Sequence, residues 1–98
     1  MNKKTITPSH PGKILDQGIK DHELPISKVA RDTGIPVSTL NAIIHGKRPI
    51  RAENALRIAK YFGTTATYWT RLQSDYDLRM ASMEHSEEID KLVNPLAG

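Results

Sequence analysis

Residues 26–48 read ISKVARDTGIPVSTLNAIIHGKR and decide the fold of this chain. Their apolar side chains recur at the three-to-four-residue spacing of two short helices, one on each side of Gly34. Glycine suits a sharp turn between helices because it has no Cβ to clash there. The stretch therefore predicts a helix-turn-helix pair, and its inner faces are expected to consist of Val29, Ala30, Ile35, Leu40, Ile43 and Ile44.

The second helix of this pair carries short polar side chains on its outer face. Val37, Ser38, Thr39 and Asn41 lie in its first turns, the part of such a helix that enters a DNA major groove. Asparagine can pair bidentately with adenine, hydroxyls donate or accept, and a valine or threonine methyl can touch the thymine methyl. For Ser38, helix capping is an equally simple interpretation. DNA binding is the leading hypothesis for this face.

Cations cluster around the same stretch. Residues 26–60 contain seven Lys or Arg against two acids, whereas residues 83–98 contain four acids against one lysine. A solvated helix surface would explain an excess of this size, but its position beside the helical pair favours a polyanion-binding surface. The side chains expected to contact DNA phosphates are Lys28, Lys47, Arg48 and Arg51.

The composition fits one small domain in a reducing compartment. The chain has 98 residues, 38 % of them hydrophobic, and no cysteine. Disulfides and thiolate metal sites are therefore excluded, and a reducing cytoplasm is the expected location. No run approaches the roughly 18 apolar residues of a membrane-spanning helix, so no membrane partner is predicted.

Periodicity predicts three further helices and no strand, which gives an all-α fold of five helices. The first begins at Pro11, the fourth spans Arg51–Phe62, and the fifth runs from about Ala66 to Met83. We divide the chain into a flexible arm, a DNA-binding and dimerisation domain, and an acidic tail, which are residues 1–9, 10–83 and 84–98.

Helix ends and the fourth helix allow more detailed predictions. Prolines stand where Ser or Thr caps are usual, at positions 25 and 36, so Ser27 and Ser38 are the candidate caps of the second and third helices. Glu53 and Arg57 lie one turn apart and are expected to pair. The buried stripe of the fourth helix is predicted to be Ala55, Leu56, Ile58, Ala59 and Phe62.

The fifth helix carries an apolar seam at steps of three and four residues, formed by Trp69, Leu72, Tyr76, Met80 and Met83. It could belong wholly to the core of one chain. Because it is longer than a small bundle can cover, we favour a two-fold dimer through Trp69, Leu72, Tyr76 and Met80. Such a dimer would bind an inverted repeat, with its two recognition helices about one DNA turn apart.

Residues for catalysis or metal binding are scattered. The four histidines, at positions 10, 22, 45 and 85, form no i, i+4 pair and have no acidic partner that would complete a ligand set. There is no glycine-rich phosphate loop and no Ser/His/Asp arrangement. We predict that the chain is not an enzyme and needs neither a metal nor a cofactor.

Four motifs occur together in the chain: HPGKIL (10–15), HGKRPI (45–50), ALRIAKYFGTT (55–65) and YWTRLQSDYDL (68–78). Together they resemble the HigA family of antitoxins, in the Xre/Cro class of phage-repressor-like helix-turn-helix proteins. The resemblance implies a five-helix repressor dimer that binds an operator upstream of its own operon. It also implies neutralisation of a HigB toxin, a RelE-like ribosome-dependent mRNA endonuclease, through complex formation.

The family's functional positions transfer only in part. The resemblance places base reading on Val37, Ser38, Thr39 and Asn41, and backbone contacts on Lys47 and Arg48. The second helix departs from the family pattern, because Ile26 stands where a hydrogen-bonding side chain is usual. The alternative function is a stand-alone phage- or plasmid-type repressor without a toxin partner.

Overall fold

The computed structural model describes residues 9–96, and five α-helices without any strand account for this part of the chain. The all-α, five-helix prediction is confirmed. The predicted arm lies, except for Ser9, outside the described residues. In chain order the helices are α1 (Pro11–Asp21), α2 (Ile26–Thr33), α3 (Val37–Ile44), α4 (Ala52–Phe62) and α5 (Ala66–Leu92).

One hydrophobic core joins all five helices. Burying a large aliphatic side chain contributes about 1.5–3 kcal/mol, so the fully buried residues account for most of the favourable free energy of folding. The predicted inner faces are confirmed, with Ala30 and Ile44 half-buried against the core. The core consists of Leu15, Ile19, Val29, Ile35, Leu40, Ile43, Ile50, Ala55, Ile58, Ala59 and Trp69.

The starts of α2 and α3 differ from the prediction. Pro25 and Pro36 are the N-cap residues themselves, and neither helix has a side-chain cap hydrogen bond. Ser27 and Ser38 lie inside the helices, so the prediction that they act as caps is wrong. Proline fits the N-cap because its fixed φ near −65° suits the extended conformation there, and its missing N–H leaves no donor unpaired.

The turn between α2 and α3 has the conformation expected of glycine. Gly34 ends α2 with φ of 76°, in the left-handed region, and its N–H donates to the Ala30 carbonyl at 2.9 Å. The Thr33 hydroxyl donates to the Val29 carbonyl at 2.7 Å and accepts from the Ile35 N–H at 3.2 Å. These bonds fix the angle between the two helices.

Helix α1 crosses α3 at backbone contact. A Cβ added to Gly12 would lie 1.8 Å from the Ile43 carbonyl oxygen, so only glycine fits at this crossing. Just before it, His10 caps α1 by accepting a hydrogen bond at Nδ1 from the Gly12 N–H, at 2.9 Å. The HPG motif therefore places the start of α1 against the end of the second helix of the pair.

Two predictions for α4 and α5 are wrong. Leu56 is 62 % exposed, because it lies about 100° around the helix from Ala55 and outside the stripe of Ala55, Ile58 and Ala59. Helix α5 does not end at Met83 but continues to Leu92, through the residues predicted to form an acidic tail. The expected Glu53–Arg57 pair is present, with an Nη2–Oε2 distance of 3.0 Å.

Candidate nucleic-acid interface

Helix α3 has a buried side and an exposed side. Leu40 and Ile43 are completely buried, whereas Val37, Ser38 and Asn41 are exposed and Thr39 is half-buried. Since Pro36 is the N-cap, Ser38 is the second residue of α3 and its hydroxyl is available on the surface. Of the predicted base-reading residues, Val37, Ser38 and Asn41 thus face outward, and Thr39 lies at the edge of this surface beside the core. We call the four residues together the α3 face (Val37, Ser38, Thr39 and Asn41).

The N-termini of α2 and α3 carry no capping side chains. The first backbone N–H groups of a helix have no partner within the helix, and the helix dipole adds positive potential at that end. An uncapped N-terminus therefore favours an anionic oxygen such as that of a DNA phosphate. This backbone feature adds to the side-chain groups of the α3 face.

A cation-bearing loop follows α3 directly. Gly46 has φ of 74°, and the Lys47 N–H donates to the Ala42 carbonyl at 2.8 Å, which closes the end of the helix. Lys47, Arg48 and Arg51 are all exposed in this segment, which we call the cation loop (residues 46–51). The loop lines one side of a surface cleft of about 560 Å³.

The predicted phosphate-contacting residues differ in how far their charges are already paired. Within residues 9–96, no ion pair involves Lys47, Arg48 or Arg51. Lys28 instead bonds Asp32, with an Nζ–Oδ2 distance of 2.9 Å. This bond, together with one from the Tyr61 hydroxyl, lowers the pKa of Asp32. Lys28 would have to leave Asp32, or share it, to reach a phosphate.

Sequence reasoning missed two side chains that support this surface. Arg57 on α4 donates from Nη1 to the Thr33 carbonyl at 2.8 Å, which connects the turn between α2 and α3 to α4. Gln73 on α5 accepts from the Ile50 N–H at 2.8 Å, which connects the cation loop to α5. Both contacts join residues more than 20 positions apart, so helical periodicity contains no signal for them. The only clue was a glutamine on an otherwise apolar seam.

The predicted dimerisation residues lie mainly against their own chain. Trp69 is 4 % exposed, and its indole N–H donates to the Thr64 hydroxyl at 2.8 Å, so the prediction that it contacts a second chain is wrong. Leu72, Tyr76 and Met80 are half-buried, and the Tyr76 ring packs edge-on against His10 with the ring centroids 4.9 Å apart. The exposed apolar residues of α5 are Tyr68, Leu78, Met83, Ile89 and Leu92.

Comparison with known proteins agrees with this geometry. The helix-turn-helix family profile matches residues 19–69. Virulence-associated protein I of Dichelobacter nodosus is 35 % identical over 89 residues, which are 90 % of this chain and 81 % of that protein. A solved structure is that of an addiction module antidote protein of the HigA family from Coxiella burnetii, which is 38 % identical to this chain. The match covers 92 % of this chain and 99 % of that chain, with a TM-score of 0.86. The chain belongs to the HigA family.

A second solved HigA protein was determined with DNA. Antitoxin HigA of Pseudomonas aeruginosa, solved with the higBA promoter, is 34 % identical, covers 91 % of this chain and 98 % of its own, and has a TM-score of 0.86. The HigA family consists of DNA-binding antitoxins and not of enzymes, as predicted for this chain. In the described part of this HigA-family chain, no helix is long and apolar enough to cross a membrane, and no three His, Asp or Glu side chains group as metal ligands.

Proposed function

We propose that this HigA-family chain is the antitoxin of a type II toxin–antitoxin module. In this proposal it represses its own operon by binding operator DNA and neutralises a HigB/RelE-like mRNA endonuclease. The observation that carries the DNA-binding part is the position of three cations without ion-pair partners among residues 9–96 directly beside the outward α3 face. The Pseudomonas relative with its promoter supports the same choice of ligand.

The α3 face and the cation loop have different tasks in this proposal. Asn41 and Thr39 read base edges, with Ser38 and Val37 beside them, because base-edge hydrogen bonds carry sequence information. Phosphate contacts carry none, but they fix the register of the protein on the duplex. The proposed phosphate contacts are Lys47, Arg48 and Arg51, with Lys28 at the flank.

Replacing single residues tests this division on the DNA upstream of the gene. Asn41→Ala or Thr39→Ala is expected to cost about 1–3 kcal/mol on the operator and much less on a scrambled duplex. Lys47→Ala or Arg48→Ala should weaken both duplexes and flatten the salt dependence by about one phosphate contact for each bound chain, which is about two for the proposed dimer. Lys91→Ala removes the same charge from the far end of α5 and is the matched control. Equal effects of Asn41→Ala on both duplexes would reject α3 as the base reader.

The proposed assembly is a homodimer through α5 that binds an inverted repeat. Leu78 is 67 % exposed and borders a groove formed with Ile50, Thr70 and Ala81. Ile89 and Leu92 lie on the same side of α5, at spacings of 11 and 14 residues from Leu78. A second copy of the chain would bury this stripe and supply the second recognition helix.

Toxin neutralisation is proposed on acidic surface away from the α3 face. Toxins that act on ribosome-bound RNA are expected to be basic, so acidic side chains suit a partner surface. The candidates are the carboxylates of α1 and the segment after it, one aspartate on α5, and the acidic end of α5, namely Asp16, Asp21, Glu23, Asp75, Glu84, Glu87, Glu88 and Asp90. Asp77 is left out, because it lines the cleft that contains the cation loop. A toxin bound there leaves the α3 face open to the operator.

Co-expression with the product of the neighbouring gene tests the antitoxin assignment. The variants are the full chain, a form ending at Ser82, and a full-length form with Asp16, Asp21 and Glu23 neutralised. Loss of growth rescue in the full-length variant identifies the α1 surface as the one that matters. Loss in the truncated form identifies the acidic end of α5 only where that form is still a dimer by sedimentation, because the truncation also removes Ile89 and Leu92. Rescue by both excludes the two surfaces as essential contacts. Failure of the full chain to rescue growth, with operator binding retained, would favour the stand-alone repressor.

A further inference from the structure

The cation loop is held on α5 by one buried amide. Gln73 is 7 % exposed, and its Oε1 accepts a hydrogen bond from the Ile50 N–H at 2.8 Å. Its Nε2 donates to Asp77 Oδ1 at 2.9 Å. An ionised carboxylate can only accept hydrogen bonds, so Asp77 selects the amide orientation that turns the Gln73 oxygen toward Ile50. The Ile50 N–H can only donate, so it and Asp77 select the same orientation of the Gln73 amide.

Ile50 is the point at which the loop enters the core. It lies between Arg48 and Arg51, and because it is only 2 % exposed its N–H is out of reach of bulk water. A buried N–H without a partner is costly, so the Gln73 acceptor stabilises this conformation of the loop. Pro49, immediately before, fixes its own φ and confines Arg48 to extended backbone. The directions of both arginines thus depend on the Gln73–Ile50 bond.

The same amide also faces the groove on the other side of the loop. Gln73, Ile50 and Asp77 line both the cleft that contains the cations and the groove that contains Leu78. In the cleft, His10 packs beside Gly46, so the start of the loop is supported from α1 as well. The loop is therefore held at both ends, at Gly46 by α1 and at Ile50 by α5.

We propose that Gln73 is a positioning residue for DNA-backbone contacts, oriented by Asp77. It contacts no DNA itself, but it holds Arg48 and Arg51 where they meet phosphates together with Lys47. The inference rests on the proposed operator binding. A role in folding alone would lower thermal stability without changing how binding depends on salt, whereas positioning of cations sets the number of counterions released on binding.

The main variant is Gln73→Met, which keeps the size and the net charge but removes the acceptor. Measured well below its thermal midpoint, its affinity is expected to fall about tenfold for operator and scrambled duplex alike. The slope of log affinity against log salt should flatten by about one to two phosphate contacts for each bound chain. Between 50 and 200 mM salt, each lost contact makes the fall in affinity about 3.5-fold smaller.

The rescue variant is Gln73→Glu combined with Asp77→Asn. The double variant has the net charge of the natural chain. It also reverses the hydrogen bond between positions 73 and 77, because the amide at position 77 would donate to the carboxylate at position 73. The carboxylate that replaces the Gln73 amide still accepts from the Ile50 N–H. The affinity is expected to return to within about twofold of the natural value, and the slope to within about half a phosphate contact per chain. A lower thermal midpoint with an unchanged slope in Gln73→Met would overturn the inference. So would recovery of the midpoint without the slope in the double variant.

A further pair of variants avoids the buried position. Asp77→Ala removes both the charge and the acceptor of the Gln73 amide, whereas Asp77→Asn removes the same charge but keeps an acceptor. A salt slope that is flatter in Asp77→Ala and unchanged in Asp77→Asn supports the inference. Equal slopes in both variants count against it. The proposed function is tested separately and fails if the natural chain binds operator and scrambled DNA equally. The effect of Gln73 on the salt slope can still be measured in that case, because it is expected on scrambled DNA as well.

Discussion

The two ends of the molecule differ in what holds their helices together. From His10 to Gln73, which we call the compact half (residues 10–73), each helix has side chains in one core and most turns are fixed by backbone bonds. From Ala81 to Leu96, which we call the free half (residues 81–96), every residue is exposed although the chain is helical to Leu92. An isolated helix segment is marginally stable in water, so burial fixes the first half, whereas the second depends on helix propensity and, in the proposed dimer, on the second copy.

This contrast predicts first that leucines in the two halves differ greatly in energetic importance. Leu40→Ala removes a completely buried side chain and should lower the free energy of unfolding by about 2–5 kcal/mol. Leu92→Ala changes an exposed position and should alter it by less than about 0.5 kcal/mol in the monomer. Urea unfolding measured at low protein concentration gives both values. Similar losses for the two variants would erase the contrast.

The second prediction concerns the crossing of α1 and α3, the tightest contact in the compact half. Gly12→Val places a side chain against the Ile43 carbonyl and should cost about 3 kcal/mol of stability. Gly18, in the same helix, has open space where its Cβ would be, so Gly18→Ala should stabilise the chain by about 0.5–1 kcal/mol. Thermal unfolding of the two variants tests whether the crossing or simply glycine content matters. A mild effect at Gly12 would show that the crossing can open without loss of fold.

The third prediction asks whether a second copy covers the exposed stripe of Leu78, Ile89 and Leu92, which continues from the end of the core into the free half. Leu78→Asp should raise the dimer dissociation constant about tenfold or more, because the carboxylate would be buried without a partner. Leu56→Asp makes the same change at an exposed leucine of α4 and should leave dimerisation unchanged. Sedimentation equilibrium with a dilution series measures both. If only Leu56→Asp dissociated the dimer, the dimer surface would lie on α4, and the proposed dimer through α5 would be wrong.

The smallest expected effect is a pH dependence at the edge of the compact half. Partial burial lowers the pKa of His10 below its ordinary value of 6.5, while the Asp77 charge opposes this shift. In the pH range between the folded-state pKa and 6.5 the unfolded chain binds more protons, so stability falls as pH decreases from 6.5 through the folded-state value. His10→Asn keeps a capping acceptor that does not titrate. The thermal midpoint of His10→Asn should therefore fall less than that of the natural chain between pH 7 and about 5. An equal fall in the two proteins would contradict the assignment of this pH dependence to His10.

Much of the compact half could be predicted from local sequence. The spacing of Val29, Leu40 and Ile43 indicates the buried faces, and Gly34 indicates the turn, because these signals arise within a few residues of each other. The α3 face followed from the same periodicity, since residues opposite the core must be exposed. Arg57 and Gln73 were missed because their partners are distant in sequence and no pattern of one helix reveals them.

The free half was misjudged for a different reason. Its acidic residues indicated a tail, but Glu, Met, Leu, Lys and Ala are all good helix formers. The helix therefore continues to Leu92, and Val93 is its C-cap. Pro95 follows two residues later and restricts Asn94 to extended backbone. The apolar seam was recognised, but periodicity does not show which of two apolar faces meets the chain's own core, and the Trp69 side proved to be that face.

The outward position of the α3 face has a consequence for how such a protein can diverge. Val37, Ser38 and Asn41 are all exposed, so exchanging them changes little of what keeps the chain folded. With the α3 face as the proposed base reader, one copy of a duplicated gene could acquire a new target sequence in a few steps without passing through an unstable intermediate. For the same reason, a library randomised at these three positions is a practical source of mutually independent genetic switches on one unchanged scaffold.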